Sequence, residues 1–109
     1  MPQLQDTRKT LILSIDSIES SEVTLKDGLL AGDLSFVYGS DVTNDVERAL
    51  RALSKMIVEW NLTDKDEKKL PITLENIKKL DIKDIDKLLA ATSFGEGELD
   101  KKKEKNLEN

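Results

Sequence analysis

The residues with spacing suited to chemistry in this chain are carboxylates. Asp64-x-Asp66, with Glu75 in the closing position, echoes a calcium-binding loop, where side-chain and backbone oxygens surround a hard cation. Such a loop needs an oxygen ligand where Lys68 stands and a glycine where Lys69 stands, so the stretch reads as a solvated turn. Asp81, Asp84 and Asp86 gather at a helix start. They could face a divalent cation, but complementing the positive end of the helix dipole explains the same pattern. Asn61-Leu62-Thr63 has the form of a glycosylation acceptor, idle in a chain without a secretory signal. The run Lys101 to Lys105 is broken by Glu104 and follows an acidic stretch, so it reads as a solvated tail rather than a binding patch.

Other catalytic chemistry has few residues to draw on. The chain contains no Cys and no His, which removes thiol nucleophiles, disulfides, the commonest general base and the commonest transition-metal ligand. Acid–base work would fall to carboxylates, Lys, Ser, Thr and Tyr38. No phosphate loop, dinucleotide fingerprint or nucleophile elbow is present. The reading is of a non-enzyme, with no catalytic, cofactor-binding or metal-binding residue assigned.

A length of 109 residues suits one domain with flanking tails, and the net charge of −5 disfavours partners that are themselves polyanions. Nucleic acid and anionic membrane are therefore not expected as partners. No apolar run approaches the ~20 residues of a membrane span, and the N-terminus has no signal-like core, so the expected location is intracellular.

The elements that must position any site are an α+β set. Residues 1–9 are polar and read as a flexible arm; residues 10–94 form a single small domain; residues 95–109 have little to bury and are expected to be disordered when alone. Within the domain, Leu11, Leu13 and Ile15 alternate with Thr10, Ile12, Ser14 and Asp16, and Val23 and Leu25 with Glu22, Thr24 and Lys26, predicting two short strands, the first with Ile12 hinting that both its faces are partly covered. Asp27-Gly28 marks a turn. Leu34, Phe36 and Tyr38 share one side of a third candidate strand, closed by Gly39-Ser40, though the strand count across residues 10–40 stays open.

A long amphipathic helix follows. Asn44 can cap it, with Glu47 three residues on, although Asp41 and Thr43 are alternatives. Val46, Ala49, Leu50, Leu53, Ile57 and Trp60 form one apolar stripe, with Arg48, Arg51 and Lys55 on the wet side. After a charged turn at Thr63 to Lys69 and the extended Leu70-Pro71, Thr73 caps a short helix over Leu74 to Leu80. Asp81 caps another that carries Ile82, Ile85, Leu88 and Leu89. The expected fold is thus a small N-terminal antiparallel β element followed by a region of about three helices.

The stretch Met56-Ile57-Val58-Glu59-Trp60-Asn61-Leu62-Thr63-Asp64, then Leu70-Pro71-Ile72-Thr73 and Glu75-Asn76-Ile77, resembles the tail assembly chaperones of long-tailed (siphovirus-like) bacteriophages. The shared pattern is a helix ending in an apolar-apolar-x-Trp stretch, a charged turn, a Pro-Ile-Thr helix start and a Leu-rich helix. It covers roughly the middle half of the chain. The serine-rich stretch Ser17 to Ser40 is longer than the family pattern, and the turn Lys65 to Lys69 lacks the glycine often found there.

The resemblance implies a non-enzymatic chaperone in the host cytoplasm. It would bind the tape-measure protein and keep it soluble until the tail tube polymerises around it. The tail tube protein is a further implied partner, as is a longer form of the chaperone made by programmed frameshifting; an adenine run encoding Lys101-Lys102-Lys103 would be a place for the shift. Leu53, Ile57 and Trp60, with Ile85 and Leu89 as a second wall, are the candidate partner-binding residues, and the same five would form the core of an inert domain. The competing reading is a small structural tail or connector protein in a symmetric assembly, so a homo-oligomer stays open. A helical DNA-binding unit after Pro71 is a weaker third, because Asp84 and Asp86 make Ile82 to Leu89 a poor face for phosphates.

Overall fold

A computed structural model describes residues 2–94, and the tail expected at 95–109, with its lysine run, lies outside them. Within the described residues the fold is α+β, an antiparallel three-stranded sheet plus four helices. Strand β1 is Thr10–Leu13, β2 is Val23–Lys26 and β3 is Ile57–Trp60, in the spatial order β1-β2-β3. Leu11 faces Leu25 and Leu13 faces Val23 across the first pair; Val23 faces Trp60 and Leu25 faces Ile57 across the second. One sheet face is therefore apolar throughout and lies on the core.

The third strand is not where alternation placed it. Leu34 and Phe36 lie in helix α1, Leu34–Val37, which continues a 3-10 turn at Ala31–Asp33, and Tyr38 caps its C-terminal end. Asp33 fixes the start of this turn by accepting the Leu30 N–H at 3.1 Å. Val37 is the residue buried, while Leu34 and Tyr38 stay exposed. Gly39 closes the segment because a Cβ there would sit 2.8 Å from the Ser35 carbonyl oxygen and from Asp41 Oδ1.

The long helix, α2, is Asp45–Met56, four residues shorter than its apolar stripe. Asn44 caps it, accepting the Glu47 N–H at 2.8 Å. Beyond Met56 the chain turns extended, so Ile57 and Trp60 reach the core from a strand, not from a helix. Their three-residue spacing arises from a bulge. Leu25 pairs with Ile57 but Thr24 pairs with Glu59, so Val58 is an extra residue on β3. One inserted residue lets positions three apart share a sheet face, which copies the helical period.

Arg48 and Arg51 also depart from the expected wet side. The Arg51 side chain is only 14% exposed; it lies 4.7 Å over the Phe36 ring and donates to the Phe36 carbonyl at 2.9 Å. Arg48 lies 5.0 Å over Tyr38. Both helix cations thus hold α1 against α2.

After β3, Thr63 and Lys69 bridge across the charged turn, and Leu70 N–H returns to the Leu62 carbonyl. Helix α3 is Leu74–Ile77, capped by Thr73, and α4 is Ile82–Ala90, capped by Asp81. Buried side chains from β2, β3 and all four helices form one core cluster, and the half-buried Leu11 and Leu13 of β1 pack against it. At the N-terminal end, Arg8, read as part of the arm, donates to the Gly28 carbonyl at 3.0 Å, and the Lys9 carbonyl accepts from Asp27 N–H. Gly28 itself has φ +108°, which a side chain would strain.

Candidate functional site

Three caps place the walls of an apolar groove. The Asn44 cap starts α2 so that Val46, Ala49 and Leu50 line one side. Thr73 and Asp81 start α3 and α4 so that Ile77, Leu80, Ile82, Ile85 and Leu89 line the other. The groove encloses about 370 Å³, and its lining is overwhelmingly carbon. Asp45, Lys78 and Asp86 stand at its margins. Val46 and Ile82 are 65% and 64% exposed, large for branched aliphatic side chains on helices that otherwise bury theirs.

Ion pairs brace this opening. Glu47 on α2 accepts from Lys78, which follows α3, at 3.1 Å, and reaches Arg51 at 3.4 Å. Arg51 also holds Asp41 at 2.8 Å. The Lys78 hydrogen bond, aided by Arg51, holds the Glu47 carboxyl below its ordinary range, and the Arg51 hydrogen bond does the same for Asp41. On the far side of α4, Lys87 pairs with Asp16 at 2.8 Å, and Ser17 donates to the buried Asp84 carboxylate.

The candidate partner-binding residues divide. Ile85 and Leu89 line the groove floor. Leu53, Ile57 and Trp60 do not line it and are sealed in the core, with Trp60 2% exposed. The five therefore form no single open surface. What periodicity missed is that Val46 and Ile82, the first apolar residue of each long helix, are left uncovered at the mouth. Their position at helix starts, beyond the reach of the sheet, is the only sequence signal that could have singled them out.

The carboxylates of the sequence pattern have local work. Asp64 Oδ1 accepts the Asp66 and Lys68 N–H groups at 2.8 and 3.0 Å, which closes the charged turn. Asp81 caps α4, Asp84 binds Ser17, and Asp86 stands at the groove, so the three do not converge. Asn61 is a pin: it accepts from Glu22 N–H at 2.7 Å and donates to the Ser20 carbonyl at 3.0 Å.

No helix among the described residues is long and apolar enough to cross a membrane. Compared with protein families, curated proteins and solved structures, the chain matches none of them.

Proposed function

We propose that this protein is a non-enzymatic binding protein that takes the apolar stripe of a partner helix into the α2–α3–α4 groove. The observation that carries the reading is the groove's open apolar lining with Val46 and Ile82 exposed at its mouth. A groove between helices, rimmed by charge, suits an amphipathic helix whose apolar side chains recur on one face. The resemblance of Met56 to Ile77 to phage tail assembly chaperones names the client class: the long helical tape-measure protein, kept soluble in the host cytoplasm until the tube forms around it. Repeated weak contacts along such a client add through avidity, so a shallow groove suffices.

The experiment is co-expression with the tape-measure protein of the same phage, scoring how much stays soluble and co-purifies. Trp60→Ala is unsuitable as the probe, because Trp60 is core. Val46→Asp and Ile82→Asp place charge on exposed positions at the groove mouth. Under this reading they abolish co-purification while the protein stays folded. Full solubility and co-purification with both variants would remove the groove from the account.

A further inference from the structure

The outer edge of β1 is open. Sheet order puts β1 at an edge, and the bond from Asp27 N–H to the Lys9 carbonyl sets the phase of its ladder. Alternation along an antiparallel strand then turns the backbone groups of Lys9, Leu11 and Leu13 toward β2 and those of Thr10, Ile12 and Ser14 outward. Among the described residues, no hydrogen bond satisfies these outward groups.

Edges of this kind are ordinarily blunted by charge, proline or a bulge. The other edge strand, β3, carries a bulge and the Glu59–Lys69 ion pair. In contrast, Thr10-Leu11-Ile12-Leu13-Ser14-Ile15 has no charge, no proline and an unshifted register. Ile12, at its centre, is 63% exposed on the sheet face away from the core.

We propose that β1 pairs antiparallel with β1 of a second copy of this chain, joining two sheets into one six-stranded sheet about a two-fold axis at Ile12. Only registers that oppose even-numbered residues keep both apolar sheet faces on the same side. The register with Ile12 on the second copy's Ile12 covers both exposed side chains and sets Thr10 against Ser14 at each end. It also sets Leu11 against Leu13 on the core side, where both are half-buried in the single chain. Charge favours the antiparallel sense: it brings the basic Arg8-Lys9 end of each strand beside the Asp16 end of the other, whereas a parallel pair would stack like charges. None of these residues lines the α2–α3–α4 groove, so self-pairing stands or falls independently of client binding.

The geometry gives a sharp variant. The Ile12 N–H points outward, so Ile12→Pro removes an intermolecular donor and leaves the β1–β2 ladder whole. Sedimentation of the full chain over a concentration series should show the mass doubling, with Ile12→Pro remaining single at the same concentrations and an unchanged circular dichroism spectrum. Ile12→Lys, which opposes two like charges across the axis at an exposed position, should also stay single, and it decides the matter if the proline variant fails to fold. A wild-type chain of single mass throughout, or a doubled mass that persists in a folded Ile12→Lys variant, overturns the proposal.

Discussion

The indole N–H of Trp60 donates to the main-chain carbonyl of Leu70 at 2.7 Å. This bond ties the last residue of the sheet to the chain that leads into α3, and so fixes where the second wall of the groove begins. Trp60 also faces Val23 across the sheet, so the same ring closes the core beneath the groove.

Trp60→Phe keeps much of the apolar volume but strands the Leu70 carbonyl without its donor. The expected loss is about 1 kcal/mol, the net worth of such a bond when its carbonyl is only part-buried. Trp60→Ala adds a cavity and should cost about 3–5 kcal/mol. Against a domain stability of about 5–15 kcal/mol, the alanine variant should lose a large share of the fold's margin. Urea melts of the two variants check the order; an alanine variant as stable as wild type would place the indole outside the core.

The charged turn holds a strained residue. Glu67 adopts φ 63°, a left-handed conformation that a side chain disfavours. Glu67→Gly relieves that cost, and after the entropy of the added glycine it should stabilise the fold by up to about 1 kcal/mol. Glu67→Val should do the opposite. Thermal melts at fixed pH read both directions.

Acid should weaken the fold through identifiable pairs. Arg8 lowers Asp6 from 3.8 to about 2 by hydrogen bonding to its carboxylate, and Asp41 and Glu47 are held down by Arg51 and Lys78 respectively. A depressed folded-state pKa means the unfolded chain binds protons first as pH falls. These groups therefore support the fold fully above the unfolded range of about 4, and the support is lost as pH falls through their lowered folded-state values, about 2 for Asp6. Asp6 and Asp41 are exposed and Glu47 is only partly covered, so the effect is modest and shrinks with added salt. Glu47→Gln should flatten the fall in melting temperature as pH drops below about 4; an unaltered profile would mean the α2–α3 pair is idle in solution.

Caps and short strands were legible in the sequence because they depend on neighbours. Asn44, Thr73 and Asp81 each accept a backbone N–H two or three residues ahead, and β1 and β2 follow their period-two pattern. What misled were patterns with two physical origins. The Ile57 and Trp60 spacing fits a helix turn and a bulged strand equally, and only pairing with β2 decides between them. The alternation of Leu34, Phe36 and Tyr38 was overridden by Arg51, which takes the Phe36 carbonyl and ring together. The groove was half legible: Ile85 and Leu89 follow from the α4 stripe, whereas for Val46 and Ile82 the sequence offers only their place at helix starts, and their exposure depends on how two helices splay.

The proposed role rests on a helical client occupying the α2–α3–α4 groove. Its most direct measurement is the recovery of soluble tape-measure protein in complex with the wild-type chain and with the double variant Val46→Asp/Ile82→Asp, each shown folded by circular dichroism. A soluble complex should form with wild type and none with the double variant. A complex that forms equally well with both, or a client left insoluble by a folded wild-type chain, would contradict it.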